Sequence, residues 1–126
     1  MRAALDPSLE AITERVIGAA FEVSRVLGHG FFEAVYRNAL RDELERLGLD
    51  VEAEKLFPVL YKGKPVGHYY ADLVVGGIVV VELKSAEALA KEHISQVINY
   101  LRASGLPVGL LLNFGTLRVQ VRRVLP

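Results

Sequence analysis

Cysteine is absent from this chain, which rules out a disulfide framework and any thiolate-held metal. A bound ion would have to rest on oxygen or imidazole ligands, and oxygen ligands point to a hard cation such as magnesium. Also missing is any apolar run near the ~18 to 20 residues needed to cross a bilayer. The first 15 residues lack the apolar stretch of a secretory signal. The expectation is a soluble, cytoplasmic protein with no membrane partner. Nor does one sign of charge prevail: 15 Lys and Arg face 15 Asp and Glu, for a formal net charge of zero. That weighs against attraction to polyanions, because phosphate contacts supply most of the non-specific affinity for nucleic acid. Arg118, Arg122 and Arg123 could form a local basic patch, although three arginines on a terminal strand also read as a solvated face. The H-x-E, C-x-x-C, G-x-S-x-G and phosphate-loop patterns are not found. His29, His68 and His93 have no partners at ligand spacing.

The chain does carry abundant core material. Apolar types make up 52% and charged types 24% of its 126 residues, which suits one globular domain over 1–126. Asp6-Pro7 reads as a helix opening, and Leu9, Ile12, Val16, Ala19, Val23 and Val26 recur at helical spacing up to Gly28, predicting a helix over 7–27. After Gly28-His29-Gly30 comes a second stripe, Phe32, Val35, Tyr36, Ala39, Leu40, Leu44 and Leu47, predicting a helix over 31–47 that Gly48 ends. The pattern then turns extended and β-branched, with strands expected over 50–61, 66–75 and 78–84. These are separated by Lys62-Gly63-Lys64-Pro65 and by Gly76-Gly77. Ile78 to Val81 is apolar at every position, as in a strand covered on both faces. Helical spacing returns through Leu89, Ile94, Val97, Ile98 and Leu101, predicting a helix over 86–104. Strands over 108–113 and 117–124 close the chain. The order ααβββαββ implies an α/β three-layer sandwich, a mixed central sheet flanked by helices.

Two acidic residues are out of place in this pattern. Glu82 and Lys84 lie two apart on a strand, so they project from one face. Burial there is costly unless the charges pair or meet a metal. Asp72 sits in the preceding strand, inside an otherwise apolar run where an acid is poorly suited. Whether the two acids meet depends on register. A two-residue loop at Gly76-Gly77 would pair 72 with 81 and put them on opposite faces, whereas a three-residue loop over 76–78 would pair 72 with 82. An odd-length connection is expected, with glycine supplying the left-handed backbone that such loops use.

These strings resemble a known superfamily. Ala71-Asp72, followed ten residues after the aspartate by Glu82 in V-E-L-K, is similar to the divided signature of PD-(D/E)XK nucleases. Gln96 to Tyr100 reads as the Q-x-x-x-Y of the RecB-like branch. Gly30-Phe-Phe-Glu33-Ala-Val-Tyr36 reads as G-x-x-E-x-x-Y, the namesake of the GxxExxY family within that superfamily. Ala71 stands where the nominal signature has proline, and Tyr70 where a basic residue is expected. The resemblance implies a restriction-endonuclease-like fold and a nuclease acting on nucleic acid, expected to be DNA. It further implies that Asp72 and Glu82 ligate Mg2+ or Mn2+, with the Leu83 carbonyl as a further candidate ligand, and that Glu33 reaches the same site to ligate the metal or orient a water. Lys84 would position the attacking water, and Gln96 and Tyr100 would act together from one helical face. The alternative is a non-catalytic binding or assembly module retaining the fold. A chain this short has few elements with which to grip a duplex, so a homodimer or a protein partner is expected to supply them.

Overall fold

Among the described residues three helices and five strands form in the expected order: α1 (Pro7–Leu27), α2 (Glu33–Arg46), β1 (Val51–Tyr61), β2 (Lys64–Val75), β3 (Val79–Lys84), α3 (Lys91–Ser104), β4 (Val108–Asn113) and β5 (Gln120–Val124). The computed structural model describes residues 7–126; Asp6, expected to cap α1, lies outside them. The sheet runs β1-β2-β3-β4-β5. Only β3 and β4, joined through α3, are parallel, and the other neighbours are antiparallel. The sheet is therefore mixed, and its order follows from short connections between antiparallel neighbours with one helical crossover. No helix among the described residues is long and apolar enough to cross a membrane.

Alternation along β3 divides the core. Val79, Val81 and Leu83 pack with Val16, Ala20, Tyr36, Leu40 and Leu44 of α1 and α2. Val80 points the other way, to Val97, Tyr100 and Leu101 of α3. The central strand is thus covered on both faces, which explains its unbroken valine run. The helical layer on each side makes the third and first layers of the sandwich.

Several boundaries differ from the sequence pattern. Phe32 is extended (φ −67°, ψ 154°), so α2 begins at Glu33 and Phe31 lies outside it. Phe32, Val35 and Leu47, placed by spacing on the buried stripe of α2, are exposed, and so is Val26 of α1. Helix α3 begins at Lys91 rather than 86, because the Ala86 backbone is held from elsewhere. Its N–H donates to Asn113 Oδ1 (3.0 Å), while its carbonyl accepts from Asn113 Nδ2 (2.9 Å). Ala90 N–H then donates to His93 Nδ1 (3.1 Å), closing the first turn of the helix. Strand β5 begins at Gln120 rather than 117, leaving Leu117 exposed.

Strands β1 and β2 contain a shared kink. Pairing is lost between Glu54 and Asp72, with Ala53↔Leu73 on one side and Lys55↔Ala71 on the other. Glu54 takes a positive φ of 52°, which is uncommon outside glycine. Odd-numbered residues change face across this point: Leu73 and Ala53 join the α1/α2 side, whereas Ala71, Tyr69 and Phe57 join the α3 side. The backbone around Asp72 is therefore opened to both helical layers.

A close backbone approach holds residues 85–90 in place. A Cβ built on Gly115 would lie 2.2 Å from the Ala86 carbonyl oxygen and 2.3 Å from its nitrogen. Gly115→Ala is therefore expected to cost roughly 1–3 kcal/mol in urea unfolding. Gly18→Ala, with nothing near its Cβ, should cost nothing or stabilise slightly. Equal effects at both positions would show that this contact does not constrain the fold.

Candidate active site

A three-residue connection over 76–78 joins β2 to β3. Gly76 and Gly77 take positive φ of 62° and 72°, and Ile78 N–H donates to Val75 O (3.2 Å). The resulting ladder pairs Val75↔Val79, Val74↔Val80 and Leu73↔Val81, so one further step sets Asp72 opposite Glu82. Side chains replace the backbone ladder there. Asp72 N–H donates to Glu82 Oε1 (3.3 Å), and Leu83 N–H donates to Asp72 Oδ2 (2.8 Å). The odd-length connection expected from sequence is present, and the two acids interlock across the gap.

Glu82 is only 4% exposed. Its Oε2 accepts from the Tyr100 hydroxyl (3.1 Å), which itself accepts from Gln96 Nε2 (2.8 Å). The Gln96-Tyr100 spacing along α3 thus delivers a two-link hydrogen-bond chain onto one carboxylate. Lys84 Nζ lies 3.9 Å from the same Oε2, too long for a strong charge-assisted bond. Burial, reinforced by the Asp72 charge, pushes the Glu82 carboxyl from its usual 4.5 up to about 8, with Lys84 pulling the other way. The Tyr100 hydroxyl is raised above its ordinary range, by burial first and by the Glu82 charge second.

Two residues not anticipated from sequence shape the surroundings of this pair. Arg37, one turn beyond Glu33 on α2, reaches Asp72 Oδ1 with Nη1 (3.8 Å) and Glu54 Oε1 with Nη2 (3.2 Å). Its i+4 spacing from Glu33 was the available signal. Its partner Glu54 depends on the kink, which no local pattern announced. Asn113, buried at the end of β4 opposite Lys84, positions the segment that follows β3. It too was missed, because a polar strand end usually signals solvent.

Glu33 takes a different place from the Asp72–Glu82 pair. Its Oε1 accepts from Ser85 N–H (3.3 Å), directly after Lys84. It lines a cleft of about 750 Å³ with Phe31, Phe32, Arg37, Ser85 and Gly115 among others. No three His, Asp or Glu side chains among the described residues gather into a group able to hold a metal ion. Tyr36 is buried core: its ring stacks on Phe114 (4.7 Å), and its hydroxyl accepts from Phe31 N–H (3.1 Å) and donates to Gly28 O (2.6 Å). Arg123 is engaged by Glu10 (3.0 Å) and Thr13 (3.3 Å), so Arg118, Arg122 and Arg123 do not act as one basic stripe. His68 packs edge-on against Tyr70.

The raised Glu82 carboxyl has a defined effect on stability. A folded-state value above the unfolded one means that the native protein binds the extra proton between pH 4.5 and about 8. That contribution is complete below 4.5, declines across the interval and is gone above it. Melting temperatures of the metal-free protein should therefore fall from pH 5 to pH 8. Glu82→Gln should flatten this slope and raise the melting temperature at pH 8. Identical slopes in the two proteins would contradict the assignment.

Similarity to known proteins bears on the family and the fold. A family model described as the PD-(D/E)XK nuclease superfamily matches residues 10–124. A solved structure titled "Crystal structure of SSO0001" superposes with a TM-score of 0.56 at 19% identity, over 92% of this chain and 58% of that one. At that identity the likeness concerns the fold, and the chain spans little more than half the length of this neighbour. No curated protein matches. Since the family match runs through both acidic strands and almost the full length, the chain belongs to the PD-(D/E)XK nuclease superfamily.

Proposed function

We propose that this chain is a magnesium- or manganese-dependent nuclease that hydrolyses phosphodiester bonds in DNA, of the GxxExxY type within the RecB-like branch. The observation carrying the proposal is the interlocked pair of carboxylates, Asp72 and Glu82, set opposite by the β2–β3 register with Lys84 on the same strand face.

The donor set fits a divalent cation in kind. Two carboxylates converge where the available cations stand off, Lys84 at 3.9 Å and Arg37 at 3.8 Å. Burial, and after it the charge of Asp72, holds the Glu82 carboxyl up at about 8. Asp72 and Glu82 would hold the ion, with the Leu83 carbonyl as a further oxygen ligand; Glu33, bound to Ser85 N–H, stands outside this set. When bound, it supplies an acidified water and neutralises charge on the phosphate oxygens. The protein's own groups do the remaining work. Lys84 orients the attacking water from the side of Glu82, and Gln96 and Tyr100 fix the orientation of Glu82 by hydrogen bonding.

Plasmid and single-stranded DNA should be cut with Mg2+ or Mn2+ and left intact with chelator. Asp72→Ala and Glu82→Ala should each lower the rate by a factor on the order of 10² or more, and Tyr100→Phe by roughly 10. Activity surviving either acid-to-alanine change would refute the proposal.

Arg37 gives a measurement independent of cleavage. Its guanidinium competes with any cation at Asp72, so Arg37→Ala should tighten Mn2+ binding in calorimetry while weakening DNA binding. A change that merely disturbed the fold would weaken both. No Mn2+ binding at millimolar concentration by the wild-type protein would favour the second reading, a binding module that retains the fold.

A further inference from the structure

The cleft beside the acidic pair carries two aromatic rings that face solvent, one of them only partly packed. Phe32 is 85% exposed and Phe31 49%. Phe32 occupies the N-cap position of α2 and makes no side-chain capping bond, where an oxygen-bearing side chain would stabilise the helix. It is thus unfavourable for stability on two counts, an apolar ring in water and an uncapped helix. The backbone bearing these rings is held firmly from three sides. Phe31 N–H donates to Tyr36 Oη, Phe31 O accepts from Ser85 Oγ (3.1 Å), and the Phe31 ring meets the Tyr36 ring edge-on at 6.2 Å. Tyr36 is in turn stacked on Phe114. The rings are therefore presented on a pre-set frame rather than on a slack loop.

Charge narrows the choice of occupant. The charged residues lining the cleft are Arg37 against Glu33 and Glu87, and the whole chain is neutral. A duplex held by its phosphate track calls for several cations in a row, which this cleft lacks. Arg37 already pairs with Glu54 (3.2 Å) and, more loosely, with Asp72 (3.8 Å), so one phosphate can be met by its remaining guanidinium donors, and an unpaired base can stack on Phe32. Such stacking supplies affinity without net positive charge and is tolerant of sequence. The volume, about 750 Å³, falls within the range of small-ligand clefts, about 300–1,000 Å³. Ser85 on its wall follows Lys84 directly, so an occupant here adjoins the acidic pair.

We infer that this cleft binds one unstacked nucleotide of a single DNA strand, its base against Phe32 and its phosphate at Arg37, and so selects single-stranded over duplex DNA. The inference rests on the nuclease reading above and assigns the substrate class of the same site.

The chain contains no tryptophan, so F32W installs a single reporter at the stacking position. In chelator, where nothing is cut, a short oligothymidylate should quench its fluorescence, and a blunt duplex of equal length should not. By fluorescence anisotropy, Phe32→Ala should weaken oligothymidylate binding on the order of 10-fold and leave duplex binding unchanged; Phe32→Tyr should retain it. Equal quenching by both DNAs, or equal loss for both in Phe32→Ala, would overturn the inference. So would fluorescence of F32W that varies with protein concentration alone, since that would mark the rings as a contact between copies. Metal-dependent cleavage that persists without quenching would refute this inference alone, whereas quenching without cleavage by the wild-type protein would refute only the nuclease reading.

Discussion

Two carboxylates held against each other in a nearly dry position are the constraint around which this sheet end is arranged. Asp72 and Glu82 each accept a backbone N–H from the opposite strand, so they substitute for the ladder where it stops. That arrangement exists because three residues, two of them left-handed glycines, join the strands. A connection one residue shorter would have sent one acid into the other core and left a charge buried without a partner. Everything else near the site serves this pair: Tyr100 and Gln96 from one helical layer, Arg37 from the other, and Lys84 along the strand.

The kink at Glu54 and Asp72 lets both layers reach the same place. In a regular strand a side chain belongs to one face of the sheet. Here the inside–outside pattern inverts across one residue pair, so Asp72 is within reach of Arg37 on α2 although its strand partner Glu82 is addressed by α3. The positive φ at Glu54 is the local cost of that access. Beyond the cleft wall, Asn113 and Gly115 fix where residues 85–90 run, and with them the rim beside Lys84.

Much of this was legible before any coordinates. Helical stripes located α1, the middle of α2 and the latter part of α3, and the valine run marked the central strand. The misfit of Asp72 among apolar neighbours, together with the two glycines after it, pointed to the register that brings it to Glu82. What remained hidden depended on distant partners. The start of α3 is set by Asn113, 27 residues from Ala86. Arg37 finds Asp72 only through a backbone inversion that has no compositional signature. Phe32, Val35 and Leu47 were placed inside because spacing was extended past the true start of α2 and to its last turn, where no second element covers them.

The hydrogen-bonded chain from Gln96 through Tyr100 to Glu82 bears on how the molecule matures. An acid that retains its proton at neutral pH can be enclosed during folding without an ion beside it, because the neutral carboxyl donates or accepts locally and leaves no stranded charge. Under the proposed reading, assembly of the domain and acquisition of a cation would be separable events. The second would exchange one positive species for another, a proton leaving as the heavier ion arrives, with no need to rebuild the surrounding framework.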